Sequence, residues 1–151
     1  TVAVTSRNYL AHNNLGAVLI DKGDLDGAVY HFLKALEFKP SYAASHHNLG
    51  NAFVIKGDHT KAKLHFKEAL RSKPDYGRAH RNFGDLLLRT GEIDEALFHY
   101  RQALFLLTND PELHNNMGVA LTLKGKISEA VAHFRLAIGL KKDFPIMGSP
   151  R

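Results

Sequence analysis

The sequence predicts an all-α fold built as a stack of four helix pairs. The first observation is an internal repeat: AHNNLG at residues 11–16 returns as SHHNLG, AHRNFG and LHNNMG, each time after 34 residues. The second is the recurrence of apolar residues at three- and four-residue intervals, which is the spacing of a helix face. One helix pair cannot bury its apolar face alone, so neighbouring pairs are expected to stack.

Small residues and aromatic residues hold fixed places in the repeat. The first helix carries a glycine in every copy, at Gly16, Gly50, Gly84 and Gly118. The second helix carries two alanines and one aromatic residue, at Ala28, Phe32 and Ala35 in the first repeat. Glycine and alanine let two helix backbones approach closely while the aromatic ring fills the space beside them. Leu15, next to the first of these glycines, is expected to belong to the core.

The helix ends are marked by residues with a capping role. Glycines end the first helix because glycine tolerates the left-handed conformation of a C-cap, at Gly23, Gly57, Gly91 and Gly125. Asp24 and Asp58, with Glu92 as a weaker case, stand where an N-cap or first-turn acid would begin the second helix. Asp110 and Pro111 are predicted as the N-cap and the first residue of the first helix in repeat four.

Counting from Tyr9 divides the chain into four repeats with short tails. The repeats are 9–42, 43–76, 77–110 and 111–144, and the tails are 1–8 and 145–151. The chain begins at Thr1 and not at Met, and the last residues show no helical pattern. We therefore expect a fragment of a longer protein, with any targeting information missing.

This pattern resembles the tetratricopeptide repeat (TPR) family over residues 9–144. The shared features are small residues at repeat positions 8, 20 and 27, an aromatic at 24, and proline at 32, here Pro40 and Pro74. The chain departs from the family by histidine at position 4 and by the absence of that proline from repeats three and four. The resemblance implies a right-handed superhelical solenoid of four helix-turn-helix repeats. The asparagine-containing motif of each repeat is similar, more weakly, to the TPR arrays of O-GlcNAc transferase-like and bacterial proteins.

Composition argues against several function classes. A hydrophobic fraction of 44% and a charged fraction of 23% are ordinary for a globular protein. The absence of cysteine excludes a disulfide framework and a cysteine-rich zinc module. The net charge of +5 is modest and unevenly distributed between the repeats. A nucleic-acid binder more typically concentrates its basic residues on one face, so no nucleic acid partner is expected. No apolar run is long enough for direct membrane insertion. Nothing in the sequence assigns a compartment, and the cytoplasm is the default expectation.

Catalytic motifs are missing from the sequence, so neither enzyme activity nor a cofactor is expected. There is no GxSxG, no HExxH and no cysteine nucleophile. Eight of the ten histidines form two ladders, at His12, His46, His80 and His114 and at His31, His65, His99 and His133. Two imidazoles per repeat leave a zinc ion short of ligands. We therefore interpret the histidines as seam residues between the two helices of a pair, with a row of metal sites or a pH switch as the alternative.

The resemblance implies that the first helices of the repeats line a concave groove that holds a partner segment. The predicted partner-binding residues are the polar ones on that face: Asn13, Asn14, His47, Asn48, Asn51, Arg78, Arg81, Asn82, Asp85, Arg89, Asn115 and Asn116. Asparagine carries donors and an acceptor, so it can hold the backbone of an extended peptide. The alternative is that these amides bond to the neighbouring helix and set the stacking angle. The arginines of repeat three predict an acidic group in the ligand.

The leading hypothesis is a non-catalytic scaffold that binds an extended protein or peptide segment. One alternative is a self-assembly or spacer module that forms homo-oligomers through an uncapped solenoid end, where Val131, Leu136 and Ile138 are expected to be exposed. The other is an accessory substrate-binding domain of a larger, glycosyltransferase-like protein. The identity of the partner is not predicted.

Overall fold

The computed structural model describes the backbone of residues 2–142 and the side chains of residues 8–140. This part of the chain contains eight α-helices and no strand, which confirms the all-α prediction. The helices are α1 (Val2–Asp21), α2 (Leu25–Phe38), α3 (Ala43–Lys56), α4 (His59–Ser72), α5 (Gly77–Arg89), α6 (Ile93–Leu106), α7 (Pro111–Leu123) and α8 (Ile127–Lys142). None of them is long and apolar enough to cross a membrane. Residues 143–151, with the predicted tail 145–151, lie outside the described part.

The chain forms two compact units. The first ends at Asn82 and the second begins at Phe83, so α5 contributes its first half to one unit and its second half to the other. In the first unit α1 packs against α2 and α3 packs against α4, while α2 and α3 join the two pairs. In the second unit α7 packs against α8, and α6 packs against α7. Helices α1 to α4, and helices α6 to α8, therefore each lie beside the next helix of the chain.

The predicted glycine and aspartate caps lie at the ends of the helices, whereas Glu92 at the start of α6 makes no side-chain cap bond. The glycines that end the first helices all have positive φ, with values of 80°, 78°, 84° and 74° at Gly23, Gly57, Gly91 and Gly125. The Asp24 side chain accepts from the Gly27 N–H and Asp58 from the Lys61 N–H, which caps α2 and α4. The Lys61 N–H also holds the pKa of Asp58 below its usual value. Asp110 caps α7 in the same way.

Close contact between glycine and an aromatic ring holds each helix pair together. A Cβ atom added to Gly50 would lie 2.6 Å from Cε1 of Phe66. The same approach is 2.6 Å at Gly16, 2.6 Å at Gly84 and 2.7 Å at Gly118, each against the aromatic residue of its own repeat. No side chain fits at these distances unless the ring moves. Glycine at this position therefore leaves the space that the aromatic ring of the second helix fills.

The core consists of the alanine ladders and the aromatic residues between them. Ala28, Phe32 and Ala35 are fully buried, and so are their equivalents in the second and third repeats. Leu15 is a correction to the predicted core, because its side chain is 45% exposed while its equivalent Leu49 is buried. The physical reason is position: α3 packs against helices on two sides, whereas no described helix covers the outer side of α1.

Candidate functional site

The inner face of the first unit is defined here as the polar side chains on α1, α3 and the first half of α5: Asn13, Asn14, His47, Asn48, Asn51, Arg78, Arg81 and Asn82. Its first link joins α1 to α3. The Oδ1 atom of Asn13 accepts from the Ser45 hydroxyl and from Nδ2 of Asn48, both at 3.0 Å. Asn13 and Ser45 are buried, so this link belongs to the packing between the two helices.

The second link joins α3 to α5 through His47. Nδ2 of Asn82 donates to Oδ1 of Asn51 at 2.9 Å and to Nε2 of His47 at 3.0 Å. An amide nitrogen only donates, so Nε2 of His47 carries the lone pair and Nδ1 carries the proton. That proton faces the Tyr76 hydroxyl, 3.3 Å from Nδ1. The network fixes one tautomer of a neutral imidazole.

Charge on this face is concentrated in two arginines near His47. Burial, together with the positive charges of Arg78 and Arg81, lowers the pKa of His47 to about 4. The imidazole is therefore neutral at neutral pH. The side chain of Arg78 is exposed and that of Arg81 is half-buried. The bonds that hold His47 come from amide and phenol groups, so the arginines supply the positive character of this end of the face.

The second unit has a different polar cluster at the equivalent positions. Nδ2 of Asn116 donates to Oδ1 of Asp85 at 2.9 Å, and the Tyr100 hydroxyl donates to the same oxygen at 2.8 Å. Asp85 stands where the first unit has Asn51, and Tyr100 where it has Phe66. Burial, together with the Asp85 carboxylate, raises the pKa of Tyr100 far above its usual value. A carboxylate and a phenol thus take the place of an amide and a phenyl ring.

The position-6 asparagines share one structural role. Asn48, Asn82 and Asn116 each donate their amide to the first helix of the preceding repeat. This is the inter-helix bonding that the sequence left open as an alternative. Asn14 differs because it is exposed, and partner binding by these residues remains a prediction.

The predicted site residues differ widely in burial. Asn13 and His47 are buried at 7% exposure, so neither presents much surface to a partner. The half-buried ones are Asn48, Asn51, Arg81, Asn82, Asp85 and Asn116, and the exposed ones are Asn14, Arg78, Arg89 and Asn115. Arg89 and Asp85 belong to the second unit.

Sequence reasoning missed three members of these networks. Ser45 is the one hydroxyl residue at repeat position 3, where the other copies have Ala11, Ala79 and Leu113. Tyr76 closes the second repeat as Tyr42 closes the first, and its ring lies 5.0 Å from that of His47. Tyr100 is the one hydroxyl-bearing ring of its ladder. Each residue differs from most of its equivalents in the other repeats, and this difference is the feature of the sequence that could have identified it.

A small cavity opens beside the inner face of the first unit. Its volume is about 220 Å³, and it is lined by Ala17, Ile20 and Asp21 of α1, Phe32 of α2, and Asn48 and Asn51 of α3. Two of these residues, Asn48 and Asn51, belong to the polar network described above. The cavity therefore shares Asn48 and Asn51 with the polar network, and neither Arg78 nor Arg81 is among its lining residues.

The histidine ladders lie at the seam between the two helices of each pair. Nδ1 atoms face each other at 2.8 Å in His12–His31, at 3.1 Å in His46–His65 and at 3.0 Å in His114–His133. Nε2 of His46 donates to the Pro40 carbonyl at 3.0 Å, so its Nδ1 accepts from Nδ1–H of His65.

Burial, and the neighbouring His46, lower the pKa of His65 to about 4. Burial likewise lowers the pKa of His133. Among the described residues no three His, Cys, Asp or Glu side chains are arranged to hold a metal.

Solved structures with this fold show what the chain is similar to. MamA aligns with a TM-score of 0.83 and 22% identity over 90% of this chain and 80% of that one. PilF of Pseudomonas aeruginosa aligns with a TM-score of 0.83 and 25% identity over 93% of this chain and 64% of that one. YrrB, described as a TPR protein with an unusual peptide-binding site, aligns with a TM-score of 0.79 and 27% identity over 87% of this chain and 68% of that one.

Family models match nearly the whole described chain. One, described as TPR repeat, matches residues 16–54, and two described as Tetratricopeptide repeat match 53–117 and 111–144. No curated protein sequence matches the chain. Together with the helix pairs and the glycine–aromatic contacts, these matches show that the chain belongs to the tetratricopeptide repeat family, whose members are generally non-catalytic protein-interaction scaffolds.

Proposed function

We propose that the chain acts as a scaffold and not as an enzyme, and that it holds an extended segment of a partner protein along the inner face of the first unit. An acidic group of that segment contacts Arg78 and Arg81. The observation that carries the proposal is the pair of arginines beside the neutral, fixed His47. Arginine binds carboxylates through two parallel hydrogen bonds, which favours an acidic partner.

The rigidity of the inner face supports a binding role. The amides of Asn48 and Asn82 and the imidazole of His47 are held by bonds within the fold, so they lose little freedom when a ligand arrives. Asn14 is exposed on the same face and offers both donors and an acceptor to a peptide backbone. The similarity to YrrB, a TPR protein with an unusual peptide-binding site, points in the same direction.

The test begins with an unbiased peptide source. A library of random peptides displayed on phage is selected against the chain, and the recovered peptides are synthesised and titrated by fluorescence polarisation. We expect acidic residues to be enriched, and Arg78→Glu with Arg81→Glu to weaken binding by about tenfold or more, as for loss of a charged hydrogen bond.

The control is Arg101→Glu, since Arg101 is an exposed arginine of α6 in the second unit. Unchanged affinity in the double variant, or an equal loss in the control, would remove the arginines from the site.

A second candidate function is self-association through α8. Val131, Leu136 and Ile138 are 41%, 50% and 57% exposed, as the sequence predicted. Leu136 also lines a cavity of about 580 Å³ with Arg135 and three small or apolar residues of the same helix. Light scattering over a range of concentrations tests this: a mass that stays at one chain contradicts it, and a mass that rises, but not in Leu136→Glu, supports it.

A further inference from the structure

The cavity beside the inner face is built for one side chain. Its volume of about 220 Å³ lies below the 300–1,000 Å³ or so of sites for drug-sized molecules. Helices α1, α2 and α3 all contribute to its wall, so its shape is set by the packing of the first helix pair against the second. A pocket of this size next to a peptide-binding face fits an anchoring residue of the peptide.

Three of the residues that line the cavity are apolar. Ala17 and Ile20 come from α1, and the buried ring of Phe32 comes from α2. These groups offer contact to a hydrocarbon stem and no hydrogen bond. A side chain that enters must therefore have an apolar body.

The rest of the lining is polar. Nδ2 of Asn48 donates to Asn13, and Nδ2 of Asn51 lies 3.3 Å from Nε2 of His47, so both amides are held within the fold. The Asp21 carboxylate adds a group that only accepts hydrogen bonds and that carries a negative charge. A negatively charged acceptor favours a ligand that donates and is positively charged.

Asp21 makes this arrangement particular to the first repeat. The equivalent residues in the other repeats are Ile55, Arg89 and Leu123, none of which is acidic. The cationic preference therefore cannot arise at the same position elsewhere in the chain. The preference for a cation depends on Asp21 in the first repeat alone.

We propose that the cavity lined by Ala17, Ile20, Asp21, Phe32, Asn48 and Asn51 binds a lysine or arginine side chain of the partner segment. The stem lies along the apolar wall while the cationic head meets Asp21, the usual arrangement for a long basic side chain. This inference rests on the proposed function. It adds that the partner carries a basic residue for α1 as well as an acidic residue for Arg78 and Arg81 on α5, with α3 between them.

The experiment is a double-mutant cycle on a selected peptide. Its basic residue is replaced by norleucine, which keeps the stem and removes the charge, and both peptides are titrated against the wild-type chain and Asp21→Asn. We expect norleucine to weaken binding about tenfold to wild type and less than about twofold to Asp21→Asn. Asp75→Asn, an exposed acid of the α4–α5 loop that does not line the cavity, is expected to behave as wild type.

The outcomes separate the two proposals. Peptides that bind and depend on Arg78 and Arg81, yet show no coupling to Asp21, overturn the anchor and leave the proposed function standing. A selection that yields no binder overturns the proposed function.

The anchor is then decided by NMR, with Nα-acetyl-lysine-N-methylamide and its norleucine analogue added to ¹⁵N-labelled chain. Shifts at Ala17, Ile20 and Asn51 with the lysine compound alone support the cationic pocket, and equal or absent shifts overturn it.

Discussion

The polar clusters of the two units occupy the same repeat positions and differ in their chemistry. In the first unit Asn82 bonds to Asn51 and to neutral His47, so the cluster carries no charge of its own. In the second unit Asn116 and Tyr100 both donate to the carboxylate of Asp85. The same backbone repeat therefore holds a neutral network in one unit and a charged one in the other. The difference shows that the repeat determines the positions of the polar groups, while the residue at each position determines whether the network is neutral or charged.

The largest expected difference between the two clusters is the effect of low pH on stability. His47 has a pKa of about 4 in the folded chain, below the ordinary value of 6.5. Its contribution to stability is complete above about pH 6.5 and is lost as the pH falls towards about 4, because the unfolded state then binds the proton more tightly. The full loss amounts to about 3 kcal/mol.

Denaturant titrations followed by circular dichroism, at neutral pH and at about pH 4, measure this loss. His47→Asn should be less acid-sensitive by about 2–3 kcal/mol, since asparagine already stands at this position in the first and last repeats. His59→Asn, at the start of α4, serves as the control. Equal acid sensitivity in wild type and His47→Asn would contradict the role given to His47.

Removal of the phenol should weaken the polar cluster of the second unit. Tyr100→Phe leaves the Asp85 carboxylate without one of its two donors and restores the residue that the first two repeats use. A hydrogen bond to a charged group contributes about 1.5–3 kcal/mol, and we expect a loss of free energy of unfolding in that range. Tyr30→Phe, where the ring is 56% exposed, is the control. A loss below about half a kcal/mol would show that Asp85 is satisfied without the phenol.

Deletion of the asparagine amides tests the inter-helix bonds. Asn82→Ala leaves both His47 and Asn51 without their shared donor, and we expect a loss of about 1–3 kcal/mol. Asn14→Ala, at the same repeat position but exposed, should change stability by less than about half a kcal/mol. Thermal unfolding of both variants makes the comparison. Equal losses would mean that repeat position, and not the bond, determines the effect.

Equivalent surface ion pairs should matter least. Lys56 pairs with Asp26 in the first unit, and Lys124 pairs with Asp94 at 2.8 Å in the second. Both aspartates are largely exposed, and such pairs are typically worth less than about 1 kcal/mol. Asp26→Asn and Asp94→Asn should therefore lower the melting temperature slightly and to the same extent, with the effect vanishing in high salt. A large loss in either would show an unrecognised role for that acid.

The fold could be predicted from the sequence because its main contacts repeat. Gly50 and Phe66 are 16 residues apart in the chain, and the same interval recurs in every copy, so the contact is visible as a pattern. Leu15 was placed wrongly because its burial depends on a neighbouring helix and not on its own position in the repeat.

The site was less predictable for a related reason. Asn48 and Asn82 were predicted from their shared repeat position, but the direction of their amides depends on Asn13 and Asn51 across the helix interface. The cavity at Asp21 needs three helices to define it, so no single stretch of sequence signals it. The spacing of residues along the sequence predicts which residues lie on the same face of a helix. The direction of their hydrogen bonds depends on the side chains of the neighbouring helix.

Binding of the partner segment to the inner face of the first unit can be observed directly. A selected peptide is titrated into ¹⁵N-labelled chain, and the asparagine side-chain amides are followed by NMR. We expect shifts at Asn14, Asn48 and Asn51, with Asn109 of the α6–α7 loop unmoved as an internal control. Shifts confined to Asn109 or to Asn115, with the first-unit amides unchanged, would contradict it.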